Sequence, residues 1–594
     1  MHRACVFLAM FACVVTAFAG DRIPGEEWMS YADPLEAGFD ADRLEAARTT
    51  WEGIPSSAFL VISDGAVVAA WGDVDRRFMC HSVRKSFMSA LYGIYWDRGE
   101  IELNKTLLDL GIDDQDDVLL ESEKQARILD LLKARSGIFH PAAYAGRTDS
   151  QPRGSQGPGR YFAYNNWDFN TLVTILEQET GDKVFEAFDQ HFAGPLEMED
   201  WRLSDGYYHY ERDKSMHPAY PFRLSARDAA RFGLVYTRDG EWGNSRILSR
   251  DWVQRSTAMY SPDTESIGYG LLWWVLREPR FKQYGMAAAL GVGNQMIAVL
   301  PDIDLVIVNR ANTYDGQRTP MPELLDLIEA VLDARVGEPD FEPDLVPLPV
   351  PASDPRLKTV PDEQLAEFAG DWPYPPEPLG LPPFTKVRIV VGDGVLVAYS
   401  DVSGTFREYL QPDGSFVEED SLERYIPISD GDGLFAGIAD SDVIVRAVVT
   451  AAVADDMAKA KSFLALTEGE SGVRIEVARA TIDLLDGRKK KAEKSLAELA
   501  ANENPRRVEG AVNFVGYSLL EAERPKSALK FLQLNTELFP EAFNTWDSLG
   551  EAHMKLGNDA KAVSSFEKSL DLNPGNTNAQ EMIARIQEGG ETQD

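Results

Sequence analysis

Met79–Gly99 reads MCHSVRKSFMSALYGIYWDRG, and its apolar residues Val83, Phe87, Ala90, Leu91 and Ile94 recur at the spacing of one helix face. Ser82 and Lys85, three residues apart, then share one side of the first turn. A serine at a helix start has its oxygen near unsatisfied amide donors and the positive end of the helix dipole, which suits an anion formed there. An amine one turn away takes the serine's proton once burial has lowered its pKa enough to leave it neutral. Ser82 and Lys85 are therefore read as nucleophile and base. The SxxK pattern is short, and Ser527 and Ser565 also head copies of it in polar helical text, where solvated faces explain them. Ser82 differs in its company: Pro158–Leu176, PGRYFAYNNWDFNTLVTIL, holds Tyr164 and Asn166 as a YxN pair.

These two motifs are joined, in order, by LLKARSGI (Leu131–Ile138), SARDAARFG (Ser225–Gly233) and GVGNQMIAVLPDIDLVIV (Gly291–Val308). Over roughly residues 35 to 335 the chain resembles the serine β-lactamase and penicillin-binding-protein superfamily. The likeness is nearest to its class C-like esterases, D-amino-acid peptidases and 6-aminohexanoate-dimer hydrolases. The resemblance implies an acyl-enzyme serine hydrolase. In it Tyr164 shares the proton with Lys85 and passes it to the leaving group, a phenol beside an ammonium having a lowered pKa. Asn166 orients Lys85 or the substrate carbonyl, or serves only as a turn residue. The family's third motif, KTG or HxG, appears as Ala289-Leu290-Gly291, with no cation at its first position. Gly291 still admits close approach of substrate backbone, and by analogy the amides of Ser82 and Val292 form the oxyanion hole. Alanine at 289 cannot hold a substrate carboxylate by a charge-assisted hydrogen bond, which disfavours β-lactams and cell-wall peptides and favours esters or uncharged amides.

Residues 1 to 19, MHRACVFLAMFACVVTAFA, have a basic start, an apolar run and an Ala-Phe-Ala end, the pattern of a cleavable secretory signal. Cleavage leaves one cysteine, Cys80, read as a packed thiol, so stability comes from burial and not from disulfides. The expected location is secreted or periplasmic, with no membrane span after processing. Fifty-nine Lys and Arg against 96 Asp and Glu give a formal net charge of −37. Such acidity repels nucleic acid and anionic membranes. Neither a zinc-ligand pattern nor a P-loop is present, so no metal or organic cofactor is expected.

The 594 residues divide into several domains. After the signal, residues 20–338 form the hydrolase domain, an α/β sandwich with a mostly antiparallel sheet flanked by helices. It opens with a helix over Asp40–Glu52 and a hairpin turning at Ser63-Asp64-Gly65, and closes on strands over Gly268–Leu276, Tyr284–Gly291 and Gln295–Val308. The aromatic residues Tyr269, Trp273 and Trp274 line the acyl pocket or pack the core, and His140 and Tyr144 are candidates for a substrate rim. Residues 339–361 read as a proline-rich linker. Residues 362–440 read as a small β-rich domain with hairpins at Gly-Asp-Gly and Pro-Asp-Gly. Residues 441–590 are helical, and Gly516, Ala528 and Pro540 recur 34 residues on as Gly550, Ala562 and Pro574, the period of a tetratricopeptide repeat. These repeats offer a groove for a protein partner, or a stabilising appendage.

The leading reading is thus a hydrolase of an ester, amide or small peptide, with Ser82 as nucleophile and Lys85 and Tyr164 as base and acid. Its alternatives are a β-lactamase or D-Ala-D-Ala carboxypeptidase, and a repeat scaffold whose hydrolase domain is inactive or only binds a ligand.

Overall fold

The computed structural model describes residues 22–590 except 116–117, 146–150, 315, 350–353, 401 and 431. The expected signal peptide lies outside the described residues. The chain forms two compact units, one of Met1–Ser353 with Asp401–Thr405, the other of Asp354–Ser400 with Phe406–Asp594.

The first unit is built on a ten-stranded sheet. Its strands are β1 (Met29–Tyr31), β2 (Ala58–Ser63), β3 (Ala66–Gly72), β4 (Ser261–Pro262), β5 (Ile267–Tyr269), β6 (Trp274–Leu276), β7 (Ala287–Gly291), β8 (Gln295–Leu300), β9 (Leu305–Arg310) and β10 (Leu345–Pro347), in the order β10-β1-β3-β2-β9-β8-β7-β6-β5-β4. Among the described residues of this sheet, only β1 and β3 pair in parallel. Asp64 and Gly65 both take positive φ, 46° and 71°, as a two-residue hairpin turn matched to strand twist requires. All six residues of each of β2, β8 and β9 are buried, so both faces of the sheet are covered. On one face α1 (Ala41–Glu52) brings Leu44 and α5 (Met321–Ala334) brings Leu324, Leu327 and Val331 against Phe59, Val61 and Ile307. On the other, α4 (Ala226–Thr237) lies on β2, β8 and β9 and α2 (Arg84–Asp97) on β7, with α3 (Asn166–Thr180) packed against α2, so that Phe87, Leu172 and Phe232 share one buried cluster with Leu60, Ile62 and Val306.

Three strand expectations change. The run Gln295–Val308 is two strands, because Pro301–Ile303 turns and Asp304 takes φ 41°, setting Leu300 opposite Leu305. The run Gly268–Leu276 is likewise a hairpin, β5 and β6, with Leu272 at φ 64° between them. The strand expected over Tyr284–Gly291 begins only at Ala287, after a helical turn at Pro279–Lys282. Within the proline-rich stretch, Leu345–Pro347 pairs antiparallel with β1. An edge strand tolerates Pro347, whose missing N–H is not needed there.

The second unit opens with a seven-stranded antiparallel meander, Gly370–Tyr374, Thr385–Gly392, Val395–Ser400, Gly404–Leu410, Phe416–Glu418, Arg424–Ser429 and Phe435–Asp440. Its first and last strands touch, so it is nearly a barrel, filled by Leu365, Ile389, Leu396, Phe416 and Ile438. Helices then follow in packed pairs from Ser441 to Gly590. The repeated glycines are packing sites: a Cβ on Gly516 would lie 2.5 Å from Leu532 Cδ2, and one on Gly550 2.7 Å from Phe566 Cε1. No helix of the described residues is long and apolar enough to cross a membrane.

Candidate active site

Chain geometry at the nucleophile starts with His81, whose φ of 49° ends the approach to the sheet and starts a short 3-10 turn, His81–Val83, leading into α2. Every residue of α2 from Arg84 to Tyr95 is buried. Ser82 remains partly exposed, whereas Lys85 is 1% exposed. Lys85 Nζ lies 2.8 Å from Ser82 Oγ, in hydrogen-bond contact. The amine sits 4.8 Å from the ring centroids of both Tyr164 and Phe169. Burial first, and the charge of Arg84 second, hold Lys85 well below the ordinary lysine range.

Tyr164 approaches the same serine from just before α3, close enough for the Ser82 side chain to favour its ionised form. Its ring stacks on Trp274 at 5.4 Å and meets Tyr269 edge-on at 5.9 Å. The phenol is pushed up to about 12, opposite to the lowered value expected beside an ammonium. Burial penalises the phenolate by more than the Ser82 side chain and the Arg84 charge favour it.

Asn166 begins α3 and turns away from Lys85: its Nδ2 donates to Tyr144 O at 2.7 Å, and its Oδ1 is buried without a partner. Helix capping falls to its neighbour Asn165, whose Oδ1 accepts from Trp167 N at 3.0 Å. Gly291 ends β7 directly against the nucleophile turn. A Cβ there would stand 2.4 Å from Cys80 O and 3.1 Å from Ser82 N. Val292 follows at the head of the turn Val292–Asn294, as an exposed residue. Ala289, two residues before Gly291, is buried in the core.

Of the aromatic trio, Trp274 and Tyr269 surround Tyr164, but Trp273 does not. It is fully buried, 4.4 Å from the Tyr236 ring and stacked on Phe232, because the β5–β6 turn points it into the core. His140 is also core, against the Trp167 ring and 3.5 Å from Glu123, and so is no rim residue. Tyr144 stands beside the nucleophile turn, its hydroxyl 3.1 Å from His81 Nδ1. Cys80 is wholly buried with Arg310 Nη2 3.4 Å from its sulfur, and burial pushes its thiol up, away from thiolate chemistry.

Two features were not read from the sequence. His81 bridges Tyr144 and Thr313, its Nε2 2.8 Å from Thr313 Oγ1, and is driven down to about 3 by burial and by Arg84, Arg310, Arg318 and Lys85. Arg84 itself is 1% exposed between the rings of Tyr144 and Tyr220, at 5.1 and 4.9 Å. A charge between Ser82 and Lys85 reads as a solvated face, and only the all-round burial of α2 reverses that.

Residues 41–329 match the family model described as Beta-lactamase, and residues 543–576 match the tetratricopeptide repeat. A putative 6-aminohexanoate-dimer hydrolase from Bacillus anthracis is similar in structure, at 18% identity and TM-score 0.39, covering 52% of this chain and 86% of that one. A putative β-lactamase from Bacteroides dorei gives 19% identity and TM-score 0.39, over 50% of this chain and 99% of that one. Superkiller complex protein 3 of Homo sapiens is 36% identical over 73 residues, 12% of this chain and 5% of that protein's length. The chain thus carries a β-lactamase family domain over residues 41–329, followed by a tetratricopeptide repeat in its C-terminal region.

Proposed function

We propose that this protein is a secreted hydrolase that cleaves an ester, amide or small peptide through an acyl-enzyme on Ser82. The observation that carries the proposal is the contact of a buried, neutral-leaning Lys85 amine with Ser82 Oγ at 2.8 Å, with the Tyr164 ring beside the pair, 4.8 Å from the amine. Ser82 gives its proton to Lys85 as Oγ bonds the substrate carbonyl carbon. The carbonyl electrons move onto oxygen, held by the amides of Ser82 and Val292. Collapse expels the leaving group, which takes a proton relayed from Lys85 through Tyr164. Water, deprotonated by the same pair, then releases the acyl group and restores Ser82. Gly291 keeps the strand edge close to the nucleophile. The apolar Ala289 supports esters and uncharged amides over substrates gripped by a carboxylate. The leader-like Met1–Ala19 supports export, and the repeats support a docking role for a partner protein.

The test is a fluorophosphonate probe and a fluorescent penicillin, each read by intact mass on the protein and on Ser82→Ala. Phosphonate labelling that disappears in Ser82→Ala is the expected result. Absence of labelling in the unmodified protein overturns the proposal, and penicillin labelling moves the substrate class to β-lactams and cell-wall peptides.

A further inference from the structure

Arg84 is an anomaly of burial. Its guanidinium donates through Nη1 to His81 O at 2.9 Å, while Nε and Nη2 are buried with no hydrogen-bond partner. Among the described residues it has no ion-pair partner either. A buried charge is ordinarily paired, because removal from water otherwise costs several kcal/mol. Here the compensation is the faces of Tyr144 and Tyr220, whose ring quadrupoles attract the cation. Aromatic faces stabilise the charge without cancelling its field. That field acts on the next residue in the chain, Lys85.

We propose that Arg84 is a positioning residue that works through its uncompensated charge, keeping the Lys85 amine free to take the Ser82 proton and favouring the anion formed when it does. This rests on the acyl-enzyme reading above. The other groups facing the pair leave Arg84 as the cation that matters. On the same turn stands only the Ser82 hydroxyl. From just before α3 comes the Tyr164 phenol, and from α3 the Phe169 ring and Asp168, whose carboxyl is wholly buried, accepts from Ser136 Oγ at 2.6 Å, and is driven by that burial well above the usual carboxylate range. Tyr220 and Tyr269 are buried phenols pushed upward in the same way. His81, on the far side, is held neutral. Burial is the larger influence on Lys85 and Arg84 the second, so the arginine sets where the amine loses its proton and not whether it can. A carboxylate in place of either tyrosine ring would pair the guanidinium and quench this effect.

The experiment measures the second-order rate of fluorophosphonate labelling of Ser82 in the full chain across pH, for the unmodified protein, Arg84→Gln, Arg84→Met and Arg84→Lys. Gln keeps a donor for His81 O without the charge, Met keeps the bulk alone, and Lys keeps the charge alone. The acid limb moves toward alkaline pH by about one unit in Gln and Met, so that labelling below the limb is about tenfold slower, and stays in place in Lys. Thermal unfolding read alongside shows each variant folded. A limb that does not move in folded Arg84→Gln overturns the proposal, as does a limb that moves equally in Arg84→Lys, which would assign the effect to packing. If neither neutral variant folds, the Lys variant alone decides by the same criterion. No labelling of the unmodified protein at any pH defeats the acyl-enzyme reading itself, which Ser82→Ala distinguishes.

Discussion

Replacing Gly291 by alanine adds one methyl group at the point where the sheet meets the nucleophile. The new Cβ would stand 2.4 Å from Cys80 O, 3.1 Å from Ser82 N and 3.2 Å from His81 Cβ, whereas real Cβ contacts stay at or above 3.0 Å. Either β7 or the Cys80–Ser82 backbone must therefore give way by more than half an ångström. Glycine's φ here is −136°, ordinary extended backbone, so the effect is steric and not conformational. Overpacking of this kind destabilises by about 1–3 kcal/mol. A misplacement approaching 1 Å among reacting groups lowers rate by about 10²-fold, or roughly 2.7 kcal/mol of barrier. Gly291→Ala should thus label with fluorophosphonate about a hundredfold more slowly while still unfolding cooperatively by urea. Gly53→Ala, whose Cβ would meet nothing nearer than Thr50 O at 3.4 Å, serves as the control and should change neither quantity. A folded Gly291→Ala that labels within about threefold of the unmodified rate would refute the placement of this strand beside Ser82.

Other consequences concern the charges. Lys85→Met should lower Ser82 labelling by about 10³-fold or more. It should also flatten a pH dependence of stability: the unfolded chain holds the Lys85 proton up to its ordinary value of 10.5 while the fold has released it earlier, so stability rises with pH across that window in the unmodified protein only. Urea midpoints at pH 7 and 9 check it, and an unchanged slope in Lys85→Met counts against a neutral buried amine. Tyr164→Phe should slow labelling by about 10- to 100-fold. Because the phenol sits near 12, the unmodified protein should show no alkaline fall in labelling up to about pH 10 that Tyr164→Phe abolishes; such a limb would contradict the burial argument. In the second unit, Glu408 stands directly opposite Glu418 in the meander, both are buried, and burial with the Glu418 charge raises Glu408 well above its usual range. A folded carboxyl with a raised pKa holds its proton beyond the unfolded one, so stability falls as pH rises above about 4.5 toward the raised value. Glu408→Gln should remove that fall and gain about 1–2 kcal/mol at pH 8, and equal urea midpoints for the two proteins at pH 8 would sink the expectation.

What the sequence disclosed is what local chemistry writes into it. Helical spacing located α2 and put Ser82 and Lys85 on one turn, and Asp64-Gly65 announced its hairpin because few residues tolerate two positive φ values in succession. The 34-residue period marked the repeats because each glycine is needed where a neighbouring helix side chain already fills the space. What it hid depends on contacts between distant segments. Trp273 and Trp274 are adjacent and chemically identical, yet one is core and the other stacks on Tyr164, a division set by strand pleat and by the turn at Leu272. Asn165 and Asn166 pose the same problem, and the helix start decides between them. The strand run across Pro301–Asp304 overlooks a proline followed by aspartates at 302 and 304, residues that favour a turn. The charge of Arg84 could not be judged at all without knowing that α2 is covered on every side.

In the proposed reaction the division of labour between Lys85 and Tyr164 follows from one physical cause acting on two groups of opposite charge type. Lys85 hydrogen-bonds Ser82 Oγ and Tyr164 lies beside the pair, and burial penalises whichever form is charged. For the amine that means the proton is lost early, and for the phenol that it is kept late. At neutral pH the lysine is therefore the acceptor and the tyrosine the donor, without any carboxylate to assign the roles. Once Lys85 has taken the serine's proton, it becomes an ammonium in the field of Arg84, a state the site disfavours in the absence of an anion. The tetrahedral oxyanion supplies that anion while it lasts. As it collapses, the ammonium is again the misfit charge and releases its proton through the Tyr164 hydroxyl to the departing group. Arg84 thus favours the charge-separated intermediate only while it is needed, which a paired arginine or a solvent-exposed one could not do.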